Sequence, residues 1–196
     1  MSSKRKFSSF SYDEALKSLG VETLLTWNLS TKPLPLTEFF KRRLQRLDGF
    51  ELMNSERGKE LLIDAFCEEA LKTHNKLKIW KEAPLSTETT TGFVDYLIAP
   101  RRAYLDTPLL CVIEAKKDKF DLGIAQCLIG MAACVSQNPE PITVHGIVSS
   151  GQVWQFLRCE PSKAVWQTGL YTVREPDELL GALSVVFSAC EAQLQN

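Results

Sequence analysis

The sequence predicts an α/β fold, a mixed central β-sheet flanked by helices, and three observations carry that expectation. Strand-like and helical patterns follow one another as helix, three strands, helix, strands, helix. The helical pattern from Phe120 to about Gln137 has Gln126 as its only polar side chain between Leu122 and Val135, so it reads as a helix buried nearly all round. Leu109 to Ala115 reads as a strand whose first five residues, Leu109 to Ile113, are an apolar run of the kind a buried strand carries. With 196 residues, 44% apolar and 24% charged, the chain suits one domain with a substantial core. Residues 11–196 are assigned to that domain and the serine-rich, basic residues 1–10 to a flexible arm.

Ser11 is placed to cap a helix from Tyr12 to Leu19 that Gly20 stops, and Thr37 to cap a helix burying Phe40, Leu44 and Leu47. On that second helix Arg42, Arg43 and Arg46 spread over the other face. A longer helix is expected from Ser55, its N-cap, to Thr73, with Ile63, Phe66, Cys67 and Ala70 turned inward. Leu77 to Glu82 and Gly92 to Ala99 read as strands joined by a polar loop, Ala83 to Thr90. Beyond the buried helix, Ile142 to Val148 and Gln152 to Arg158 form a second pair around the turn signal Ser149-Ser150-Gly151. Ala164 to Val173 adds strand, and a final helix from Asp177 to about Leu194 covers one face.

Composition narrows the chemistry. Six cysteines are scattered without close ligand pairs and only two histidines are present, so the cysteines read as reduced core thiols rather than a zinc site. No apolar run approaches the roughly 18 residues that cross a bilayer, and Met1 to Lys6 leads into no hydrophobic segment. A cytoplasmic protein with no membrane partner is expected. Net charge is -1, and the basic clusters at 4–6, 41–46, 101–102 and 116–119 are each consistent with a solvated surface. The last of them abuts two acids.

Glu114 ends the apolar run and shares a strand face with Lys116, while a neighbouring strand carries Asp95. A carboxylate at the end of an apolar strand is costly without a cation, so Glu114 should meet a metal or an ammonium. Asp95 and Glu114 are hard oxygen donors suited to magnesium or manganese, and Lys116 would position or activate a water. A purely structural Asp95–Lys116 ion pair is the competing reading. Glu56 and Glu60 fall at helical spacing from Ile63, and Glu56 also suits the helix dipole. Gln126 has either the acid cluster or solvent and backbone as its partners.

The order Glu56, Gly92-Phe93-Val94-Asp95-Tyr96, Val112-Ile113-Glu114-Ala115-Lys116-Lys117, Gln126 resembles the PD-(D/E)xK nuclease superfamily. Within it the chain is similar to the N-terminal nuclease domain of type I restriction R subunits and to small stand-alone bacterial relatives, from about Ser55 to Arg158. The resemblance implies a restriction-endonuclease-like αβββαβ core, with Asp95 and Glu114 binding Mg2+ or Mn2+. It also implies a catalytic Lys116, a helix acid at Glu56 or Glu60, and a helix glutamine at Gln126. Val94 stands where the family name has proline. The implied activity is metal-dependent endonucleolytic hydrolysis of DNA in restriction, defence or repair, with Arg101, Lys117 and Lys119 gripping phosphates. A protein partner for target recognition or a homodimer would accompany it. The alternative is an inactive module of the same fold that binds nucleic acid or protein.

Overall fold

Ser11, Thr37 and Ser55 begin three helices because each side-chain oxygen accepts an otherwise orphaned backbone N–H. In α1 (Tyr12–Leu19) Ser11 accepts from Glu14 while the Glu14 carboxylate accepts the Ser11 N–H, and Gly20 closes the helix in the left-handed region (φ 68°). Thr37 accepts from Phe40 at the start of α2 (Glu38–Leu47), and Ser55 from Gly58 at the start of α3 (Glu56–Leu71). Ile63, Phe66, Cys67 and Ala70 of α3 are buried, as their spacing predicts. The structure, a computed structural model, describes residues 4–52, 54–116 and 120–194, and of Glu56 the backbone alone.

Among the described residues nine strands form one mixed sheet: β1 (Arg5–Lys6), β2 (Leu25–Thr26), β3 (Leu77–Ser86), β4 (Thr90–Pro100), β5 (Cys111–Ala115), β6 (Val144–Ser149), β7 (Val153–Cys159), β8 (Val165–Gln167) and β9 (Tyr171–Thr172). The main order is β1-β4-β5-β6-β7-β8-β2, with β3 on β4 and β9 on β7. Between β5 and β6, which are parallel, the crossover helix is α4 (Phe120–Gln137). After β9 comes α5 (Pro176–Ala192). The run from α3 to β6 therefore has the order αβββαβ.

The sheet separates two apolar layers. One joins α2, α3 and α5 through Phe40, Phe66, Trp154, Phe156 and Phe187. The other gathers α1 and α4 around Val94, Leu97, Val112, Val144 and Val148. In the second layer α4 lies close to the strands because a Cβ on Gly130 would stand 3.0 Å from Val94 and 3.2 Å from Val112. All six cysteines are buried and unbridged. Glycine, alanine and cysteine make α4 apolar enough to cross a membrane by length and composition, which corrects the reading that no stretch approaches that size. More than half of that window is buried within the protein, and its small residues are explained by contact with the sheet.

Several boundaries move. Residues 5–10 are not the flexible arm their composition suggests, because β1 pairs in parallel with Thr90 and Thr91 while Phe7 and Phe10 are buried, Phe7 beneath Gly92. The expected loop Ala83 to Thr90 is mostly strand: Pro84 pairs with Phe93 and Ser86 with Thr91. Proline is tolerated there because β3 is an edge strand, bonded to β4 alone. The turn shrinks to 87–89, held by the Thr87 hydroxyl accepting the N–H groups of Thr89 and Thr90. The single strand expected over Ala164 to Val173 is divided into β8 and β9.

A Cβ on Gly181 of α5 would sit 2.3 Å from the carbonyl oxygen of Lys32, where backbone must move, and the Leu34 N–H donates to Asp177 beside it. Gly181→Ala should therefore lower stability by ~1–3 kcal/mol, read as a lower urea midpoint. Gly169→Ala, with nothing within 4 Å of the added carbon, should leave the midpoint unchanged.

Candidate active site

β4 and β5 run together and then part. Their pairing covers Ile98↔Cys111, Leu97↔Val112 and Tyr96↔Ile113, and the next backbone N–H, that of Ala115, donates to Asp95 Oδ2 at 2.7 Å. A side chain has replaced the strand at that rung. The other neighbour of β4 is distorted at the same level: Glu82, between the pairs Lys81↔Tyr96 and Ala83↔Val94, has φ 49°. Such a backbone is uncommon for a side chain other than glycine, asparagine or aspartate. Across it the faces exchange, Tyr96 lying in the α3 layer but Ala83 and Val94 in the α4 layer. Asp95 stands at this break.

Glu114 shares its face with Val112 and points into the α4 layer. Only 1% exposed, it lies 3.6 Å from the Lys116 ammonium through Oε2, and its other oxygen, Oε1, is buried with no hydrogen-bond partner among the described residues. Burial raises its pKa well above the ordinary carboxylate range, the Asp95 charge raises it further, and Lys116 opposes both. The Lys116 stem is guided by α4: a Cβ on Gly123 would meet Lys116 Cγ at 2.7 Å and Val148 at 2.8 Å. Asp95, Glu114 and Lys116 are thus brought together, as the strand alternation predicts.

The other expected site residues fare differently. Gln126, three residues beyond Gly123 on α4, is half-buried and makes no side-chain hydrogen bond among the described residues, so it does not bond the acid cluster. Glu56 opens α3 and its side chain lies outside the described residues, as do Lys117 and Lys119. The backbone nevertheless sets the first turn of α3 at this end of the sheet. Lys59 packs 3.1 Å from where a Cβ on Gly151 would be, in the turn that follows Ser149, the partner of Ala115. Glu60 is engaged elsewhere, with Lys81 at 3.3 Å, in a network completed by Asp64 at 3.1 Å. Arg101 is misplaced for phosphate contact here. It follows the far end of β4, six residues past Asp95 or about 20 Å along a strand, and donates its N–H to Lys76.

Sequence reasoning missed Glu82 and the place of Gly123 beside the Lys116 stem. Nothing local announces a left-handed glutamate, whereas Gly123 had a signal in its place one turn into an apolar helix that follows the Glu-x-Lys run.

The residues suit a divalent cation on one observation: a buried carboxylate oxygen with no partner, beside a second carboxylate. Among the described residues no group of three histidine, cysteine or acidic side chains forms a metal cluster, so Asp95 and Glu114 are the two donors at hand. Because the folded-state pKa of Glu114 is raised, its contribution to stability is fully present below about pH 4.5 and is lost as pH rises through the folded value. In EDTA the melting temperature of the wild type should therefore fall relative to Glu114→Gln as pH rises from 4.5 to 8. Parallel curves would contradict the assignment.

Neither a scan against protein-family models nor a comparison with curated proteins finds a match to the chain.

Proposed function

We propose that the chain is a metal-dependent endonuclease of the PD-(D/E)xK type, hydrolysing DNA phosphodiester bonds in restriction, defence or repair. The observation that carries this reading is the unpartnered, buried Glu114 oxygen flanked by Asp95 and the Lys116 ammonium. Asp95 and Glu114 would hold Mg2+ or Mn2+, which when bound supplies charge neutralisation and an acidified water. The αβββαβ order agrees with that assignment.

Hydrolysis joins a water oxygen to phosphorus and breaks the bond from phosphorus to the leaving oxygen, which ends with a proton. Lys116, 16% exposed in its side chain, reaches solvent from a low-dielectric wall, so its ammonium can orient the water and face the negative charge that grows on phosphate. The Ala115 N–H fixes Asp95, and Gly123 fixes the lysine stem, so neither group must be ordered when substrate arrives.

A second reading, a non-catalytic nucleic-acid or protein-binding module, is favoured by the 3.6 Å Glu114–Lys116 ion pair, which would serve structure alone. Thermal shift separates them. Manganese should raise the melting temperature of the wild type but not of Asp95→Ala, whereas equal shifts would favour the module.

Purified protein incubated with supercoiled plasmid, linear duplex and single strands in manganese should cleave at least one of them, and Lys116→Ala should slow cleavage by about 10²–10³-fold. No cleavage of any substrate, or an unchanged Lys116→Ala, would refute the proposal. Gly123→Ala, which pushes the lysine stem aside, should keep the metal-induced thermal shift but lose roughly 10- to 100-fold in rate.

A further inference from the structure

The outer face of α2 carries cations and aromatic rings with no use inside the fold. At 100° per residue Phe39, Arg42, Arg43 and Arg46 fall within one arc of the helix, separate from the arc of the buried Phe40 and Leu47 and the half-buried Leu44, and Phe50 follows just past its end. Phe39 is 64% exposed and Phe50 60%. Lys41 is neutralised by Glu38 at 2.8 Å and Arg43 by Glu68 at 3.6 Å. Arg42 and Arg46 are exposed and have no ion-pair or hydrogen-bond partner for their guanidinium groups among the described residues. Such a stripe costs solubility and strains no packing to remove, so its chemistry points outward.

Its direction matters. Thr37, at the start of α2, bonds Glu69 near the C-terminal end of α3, so α2 runs back along α3 toward the latter's first turn. There the segment after α2 is in close contact, the Glu51 carbonyl lying 2.6 Å from where a Cβ on Gly58 would stand. The same turn of α3 rests on the β6–β7 turn beside Ala115 and Lys116. The stripe therefore runs toward the end of the sheet at which Ala115 and Lys116 lie, with Phe39 and Arg46 ~10 Å apart along the axis.

We propose that this face of α2 is a track for single-stranded nucleic acid, unpaired bases stacking on Phe39 and Phe50 while Arg42 and Arg46 contact phosphates. Exposed rings offer a stacking platform that only unpaired bases can use, and unpaired guanidinium groups complement a phosphate backbone. An apolar protein partner would leave the two arginines without charge partners. The inference rests on the nuclease reading and names the form of substrate that site receives.

The test is fluorescence anisotropy with a labelled oligothymidylate and with a duplex of equal length, in EDTA so that no cleavage occurs. The wild type should prefer the single strand. The double variant Phe39→Ala/Phe50→Ala should bind it at least about tenfold more weakly, with duplex binding unchanged. Arg42→Ala/Arg46→Ala should lower the slope of log K against log salt by about 1.4, at roughly 0.7 per phosphate contact on a single strand, and Arg42→Lys/Arg46→Lys should restore it. Melting temperatures equal to wild type show that the variants are folded, as expected for solvent-facing side chains. Equal affinity of either double variant and the wild type for the single strand, or equal wild-type binding of an acidic peptide, would overturn the track. Binding that depends on the stripe in a protein that cleaves nothing would uphold it and reject the nuclease reading, and cleavage with binding independent of the stripe would do the reverse.

Discussion

The arrangement around the candidate site depends on one hydrogen bond, from the Ala115 N–H to the Asp95 carboxylate. Had β4 continued to pair with β5 by backbone, the divergence between them would be closed. A side-chain acceptor satisfies the donor while letting the strands diverge, so no buried N–H is left orphaned by the opening. The left-handed Glu82 on the other side of β4 completes the divergence by exchanging the faces of both strands. Beyond this level β1 covers the edge of β4 that β5 no longer reaches, which removes an open template for pairing.

Glu114 shows the converse economy. Its carboxyl is placed where water does not reach, next to another acid, and its ammonium neighbour meets one oxygen only. A group so placed disfavours its own charge until a further cation arrives, and this is how acids are tuned at sites that do chemistry. The helix above it is constrained in turn. Glycines at 123 and 130 let α4 descend onto Val94, Val112 and Val148, and the same approach squeezes Lys116 into its path. The apolar character of α4 thus belongs to the site as much as to the core.

Features decided within a few residues were legible in the sequence. Ser11, Thr37 and Ser55 announce helix starts because the cap is a local hydrogen bond, and Glu114 and Lys116 share a face because alternation requires it. Features decided by a distant partner were not. The two-residue strands β1, β2 and β9 are extended because β4, β8 and β7 lie alongside, with no pattern of their own. Pro84 reads as a loop residue and sits in an edge strand. Glu60 has the helical phase of a site residue, yet the pairing of Lys81 with Tyr96 brings an ammonium to it first. Arg101 looked close to the acids in sequence, and antiparallel register carries it to the opposite end of the sheet.

Six thiols distributed across β5, β7, α3, α4 and α5, every one shielded, give the molecule an internal record of its own breathing. Burial pushes the thiols of Cys67, Cys111, Cys127, Cys134 and Cys159 up, while Cys190 is drawn down by Cys111 and His145. Whatever their ionisation, an alkylating reagent gains entry only when the surrounding layer loosens. Mass increments acquired one by one would mark helices and strands that open separately, whereas simultaneous capture of all six would identify the domain as a single cooperative unit.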